Sequence, residues 1–180
     1  MKSQATKMKI LRIPLFIADS SEFVDGGERI LDARTMFHYY ATGITPAMSY
    51  SKPGTGSAYA VAARDSQGLY FDGGKTYKIT LPAPIPVGQF WSFTAYDNQT
   101  RSMLETDQKL AGIDSNQTDI KRDADGPVTV YFASKAPAGQ EGNWVQTMPG
   151  KGWNTLTRLY APLEPWFDKS WKPGDFELVN

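Results

Sequence analysis

The sequence contains no cysteine, so disulfides, thiolate metal sites and cysteine nucleophiles are excluded and the redox compartment is left open. Histidine is nearly absent too. His38 is the single one, which excludes zinc centres built on two or three imidazoles and, without cysteine, the common structural zinc patterns. A serine–histidine–aspartate triad would have to use His38, which falls within a helical pattern, and no Gly-x-Ser-x-Gly elbow supplies the serine. His38 therefore reads as structural or exposed. An excess of either charge is missing: 19 Lys and Arg balance 19 Asp and Glu, and no basic face clusters for nucleic acid or an anionic membrane. No apolar run approaches the roughly 18 residues of a membrane span. Lys2, Lys7 and Lys9 precede an apolar stretch at 10–18, but Arg12 and Pro14 interrupt it and no small-x-small cleavage site follows. That start is not a convincing signal peptide, and the compartment, cytoplasmic or periplasmic, stays open.

What the chain does have is aromatic residues and turns. Five Trp, nine Tyr and nine Phe stand among 180 residues, with 16 Gly and 12 Pro. Length alone suits one ordinary domain with its own core. The stretch 90–101 organises the rest. Trp91, Phe93 and Ala95 alternate with Ser92, Thr94 and Tyr96, as a strand packed against a second layer requires. Asp97-Asn98 then breaks it into a turn, because short polar side chains bond back to their own backbone.

Further strands are expected at 10–17, 57–63, 69–71, 76–81, 128–132, 144–147 and 153–160, with 176–179 closing an edge. Residues 103–110 fit either strand or irregular chain. Pro82, Pro84 and Pro86 read as a stiff crossing, and Asp123-Ala124-Asp125-Gly126 as a turn rather than a calcium loop. The proline-rich tail at 162–174 is expected to drape over the body, with Trp166 and Trp171 braced against something outside it. One helix is expected at 28–41, where Ile30, Ala33, Phe37 and Tyr40 recur at helical spacing before Gly43 and Pro46. The expected architecture is mainly β: a jelly-roll-like β-sandwich with one helix near the N-terminus, divided as an extension at 1–27 and a single domain at 28–180.

Several phrases carry a family likeness. They include Leu31-Asp32-Ala33-Arg34-Thr35, Tyr39-Tyr40-Ala41-Thr42-Gly43-Ile44-Thr45-Pro46, Phe90-Trp91-Ser92 and Tyr96-Asp97-Asn98-Gln99-Thr100-Arg101-Ser102. Asn143-Trp144, Arg158-Leu159-Tyr160 and Trp171-Lys172-Pro173 extend it. From about residue 28 to the end, the chain resembles the C-terminal domain of a two-domain bacterial family. That domain is domain of unknown function 1214, and its usual N-terminal partner is domain of unknown function 1254. The resemblance implies a jelly-roll-like sandwich and brings no settled activity or catalytic residues with it. It also leads to the expectation of a split, truncated or free-standing copy, since the stretch before the match does not hold that partner.

Candidate site residues gather just beyond the central strand. Asp97, Asn98, Arg101, Glu105 and Asp107 combine carboxylates, an amide and a guanidinium. Such a set can do acid–base chemistry, hold a hard cation, or simply cap a turn and pair at the surface. Indole rings offer flat faces for sugar rings, although most serve packing. The candidate ligand-binding residues are thus Asp97, Asn98, Arg101, Asp107, Trp144 and Arg158, with Trp153 as an alternative ring, and with no metal site or cofactor. Three function classes follow, in order. The first is a non-catalytic assembly module that self-associates or meets a separate N-terminal domain. The second is a module binding a saccharide or other small polar ligand, and the third a hydrolase using the carboxylates at 97–107.

Overall fold

Alternating burial along the strands dictates two layers. The computed structural model describes residues 52–123 and 126–179, the short strands at 24–25 and 28–29, and Leu31. β1 (Val24–Asp25) and β2 (Glu28–Arg29) form a small antiparallel pair. Glu28 and Arg29 are therefore extended, not the start of a helix; two glycines between short runs are a hairpin signal that outweighs helical spacing there. Leu31 is helical and exposed. The rest of the expected helix, the strand expected at 10–17 and His38 lie outside the described residues.

The remaining strands make two four-stranded sheets. β3 (Ser57–Ala62), β4 (Thr76–Leu81), β5 (Trp91–Asp97) and β6 (Gly112–Asp114) come first in the chain. β7 (Val128–Ala133), β8 (Trp144–Gln146), β9 (Trp153–Tyr160) and β10 (Glu177–Val179) follow. One sheet has the order β10-β4-β7-β8 and the other β3-β9-β5-β6. All neighbours in both are antiparallel except β7 and β8, which run parallel. The fold is the expected β-sandwich. The prolines at 82, 84 and 86 lie where the chain passes from β4 in one sheet to β5 in the other.

β5 buries Trp91, Phe93, Ala95 and Asp97 while Ser92, Thr94 and Tyr96 stay half-buried on the other face, as the alternation predicts. β9 repeats the pattern with Trp153, Thr155, Thr157 and Leu159 inward. The two layers meet through rings. Trp153 lies between Phe71 and Phe132, at centroid separations of 4.3 and 5.0 Å and nearly parallel to both. Phe93 meets Phe132 edge-on at 5.7 Å. Such ring pairs add about 0.5–1.5 kcal/mol each beyond area burial.

The tail corrects one expectation. Trp171 is not braced outward: it is 8% exposed, belongs to the core, and donates its indole N–H to the Pro82 carbonyl at 2.9 Å. Trp166 packs beside it, with ring centroids 6.3 Å apart. Prolines stiffen the path while the indoles do the anchoring. Residues 103–110 are irregular apart from a bridge between Met103 and Tyr96, and 69–71 contribute only a bridge between Tyr70 and Arg64.

Candidate functional site

The end of β5 is a polar knot. Asp97, 5% exposed, accepts hydrogen bonds from the backbone N–H groups of Gln99 (2.7 Å) and Thr100 (3.2 Å). Its other oxygen lies 2.9 Å from the Lys151 ammonium. The bond from Lys151, then that from the Gln99 N–H, hold its carboxyl below the usual carboxylate range, with burial opposing them. The residue most expected to be its cation, Arg101, contributes backbone instead: its N–H donates to the Asp97 carbonyl at 3.0 Å, at a φ of 66°. Asn98 joins the knot by donating to the Trp153 carbonyl (3.1 Å) and accepting from Asn154 (2.8 Å). The carboxylate thus caps a turn and closes it onto the chain entering β9.

Arg158 lies elsewhere, on the outer face of the β3-β9-β5-β6 sheet. Its guanidinium donates to the Thr94 hydroxyl at 2.8 Å and the Tyr96 hydroxyl at 2.7 Å. In register it pairs with Tyr59 on one side and Ser92 on the other. The same face presents Val61 opposite Leu156, while Phe90 stacks on Tyr160 at 3.9 Å. Tyr59 is 46% exposed and Met103 47%. Solvent-facing sides of antiparallel sheets ordinarily alternate to polar residues; this one has Ser92, Thr94, Asn154 and Asp114 but adds a run of aliphatic and aromatic groups around one fixed cation.

Trp144 and Asp107 fall at a third place, near the edge strand β8. Trp144 is half-buried and donates its indole N–H to the Ala133 carbonyl at 2.9 Å. Asp107 accepts from the Gln146 side-chain amide at 3.1 Å. Between them Gln108 acts as a substitute strand: its amide donates to the Trp144 carbonyl (3.1 Å) and accepts from the Gln146 N–H (2.7 Å). Glu105 is exposed. Trp153, the alternative ring, is fully buried and offers no face to a ligand. The six candidate residues therefore occupy three locations: Asp97, Asn98 and Arg101 in the knot, Arg158 on the outer face, Asp107 and Trp144 at the β8 edge.

Sequence reasoning missed Lys151, Asn154, Gln108 and Asn143. Lys151 sat inside a run read only as a Pro-Gly turn. Asn143 is 2% exposed and clamps the chain before β7: it accepts from the Lys121 N–H and donates to the Lys121 and Thr129 carbonyls, each at 2.8 Å. Its place before Trp144 in the family-like phrases is the one signal that pointed to it. At the other expected turn, the Gly126 N–H donates to the Asp123 carbonyl at 2.8 Å and Gly126 has a φ of 89°. Residues 124 and 125 lie outside the described residues. Among the described residues no group of three metal-ligating side chains forms, and no helix is long and apolar enough to cross a membrane.

The chain belongs to the family described as "Protein of unknown function (DUF1214)", whose model matches residues 56–164. No curated protein matches it. Among solved structures it is similar to the VPA0106 protein from Vibrio parahaemolyticus, at 21% identity and a TM-score of 0.67. That likeness covers 90% of this chain and 40% of the other, so this chain spans about two-fifths of the length of that relative. A putative uncharacterized protein from Burkholderia cenocepacia is similar at 18% identity and a TM-score of 0.46, covering 76% of this chain and 34% of that one.

Proposed function

We propose that this sandwich is a non-catalytic interaction module, jelly-roll-like in lineage, acting as the C-terminal unit of a normally two-domain protein. Residues 28–180 form the unit and 1–27 extend it. Its partner is a domain of the 1254 type or a second copy of itself. The observation that carries this reading is the outer face of the β3-β9-β5-β6 sheet. Tyr59, Val61, Leu156, Tyr96 and the stacked Phe90–Tyr160 pair give it an apolar and aromatic surface, and Arg158 is fixed in its middle by two hydroxyls. A ring-rich patch with one oriented guanidinium is the composition of interface cores. The greater length of the Vibrio relative supports the two-domain context.

The hydrolase reading has less to rest on. Acid–base work needs two carboxylates whose environments push their pKa values apart. Asp97 is tied to Lys151, while Asp107 is engaged with Gln146 in another part of the fold. Light scattering on the full chain across a concentration series, alone and co-expressed with a 1254-type domain, tests the interaction reading. A mass above the monomer in either setting is expected. A monomer mass throughout, with no co-purification, would overturn it.

A further inference from the structure

Where the two sheets meet at β6 and β8 the sandwich has two edge strands side by side. Their backbones do not pair with each other, and a cleft of about 510 Å³ opens there. That is within the roughly 300–1,000 Å³ typical of small-molecule sites. Its walls are built firmly. Gln108 satisfies the free edge of β8 at both Trp144 and Gln146. Gly142 lets the turn at Glu141–Asn143 press against the 115–120 loop, since a Cβ there would stand 2.1 Å from the Asp119 carbonyl oxygen.

We propose that this cleft binds a neutral polyhydroxylated ligand, a saccharide of one or two rings. The lining chemistry selects it. Trp144 and Leu110 are its apolar large side chains, and the Trp144 ring is locked by its bond to Ala133. A rigid indole suits the flat C–H face of a sugar ring. Around it Asn116, Gln117, Thr118 and Asp119 are exposed. Within the described residues those four side chains make no hydrogen bond or ion pair; Asn116 is engaged through its backbone N–H alone, which donates to Asp114. Amides both donate and accept, and a carboxylate accepts, which is the demand of vicinal hydroxyls.

Other ligand classes fit less well. Asp119 and Glu141 repel an anion. Lys121, the cation acting on Glu141, already donates its ammonium to the Gly139 carbonyl. A fully apolar ligand would strand the amides without partners. For a cation, Glu141 is largely spoken for: it accepts the Gly139 N–H at 3.0 Å, with Lys121 nearby. This inference stands apart from the interaction reading, because the cleft lies at the sheet edges and not on the outer face of β3-β9-β5-β6.

Calorimetry and tryptophan fluorescence on the full chain test it. The probes are glucose, galactose, N-acetylglucosamine, maltose and cellobiose, with spermidine and inorganic phosphate as charged controls. Saturable binding of at least one sugar is expected, weakened about tenfold or more by Gln117→Ala or Asp119→Asn, a loss of one or two ligand hydrogen bonds. These exposed positions leave the fold intact, so the result does not depend on a Trp144→Ala variant remaining folded. No binding by any sugar, binding unchanged in both variants, or binding of spermidine or phosphate alone would overturn the proposal.

Discussion

The carboxylate of Asp97 and the ammonium of Lys151 stand 2.9 Å apart, joining the end of β5 to the turn that leads into β9. Both strands lie in the interior of one sheet, so this contact ties the two longest runs of that sheet at their shared end. Because the carboxyl is held below its ordinary value in the folded protein, the unfolded chain binds its proton first as pH falls. Its stabilising contribution is complete above the unfolded carboxylate value of about 3.9 and is lost as pH falls toward the lower folded value. Thermal melts from neutral to acid pH should show a shallower acid decline in Asp97→Asn than in the parent, together with a lower Tm at neutral pH. An identical acid limb would remove the pair from the account.

Truncating the ring that bridges the layers should cost far more. Phe93 is fully buried on β5 and meets Phe132 of the opposite sheet. Phe93→Ala is expected to destabilise by about 3–5 kcal/mol, the range for buried aromatics. Urea unfolding reads this directly, and a change below about 1 kcal/mol would mean the side chain is not packed between the layers.

Asn143 tests a different force. Its amide satisfies an N–H and two carbonyls in a buried place. Asn143→Ala should cost about 2 kcal/mol or more, because orphaned buried polar groups forfeit their desolvation. Asn143→Asp should not rescue it, since a carboxylate cannot donate to the Lys121 and Thr129 carbonyls. Equal stability of Asn143→Asp and the parent would refute the clamp.

Gly142→Ala probes the cleft wall. A Cβ at that position would meet backbone, not a flexible side-chain end, so the 115–120 loop must shift. A loss of about 1–3 kcal/mol is expected, as for other overpacked sites. Amide resonances of Asn116, Gln117 and Thr118 should move in the variant; their constancy would show that the turn and loop are not in contact.

The strands were readable where one face is buried and the period is long enough to show. β5 and β7 announced themselves through alternation, and β4 through Tyr77, Ile79 and Leu81 sharing a face. β6 was missed: three residues starting at Gly112 carry no period, and the strand forms because β5 offers it an edge. The site was less legible for a related reason. Asp97, Asn98 and Arg101 fall together because they are neighbours in sequence, but Lys151, from the turn before β9, and Asn154, from β9 itself, reach the same knot from a distant part of the chain. Asp107 departs from its sequence neighbours because the irregular 103–110 chain carries it to β8. Tail tryptophans could be counted but not aimed, since the inward turn of Trp171 depends on distant groups: the core it packs into and the Pro82 carbonyl that receives its N–H.

The most direct test of the interaction reading is the solution mass of Tyr59→Asp beside the parent, by light scattering over the same concentrations. Tyr59 stands at 46% exposure on the edge strand of the outer face, so an aspartate there leaves the core untouched while placing a charge in the patch. The account predicts a parent that self-associates, or that captures a co-expressed 1254-type domain, and a variant that stays monomeric with unchanged circular dichroism. A variant that associates as the parent does would contradict it.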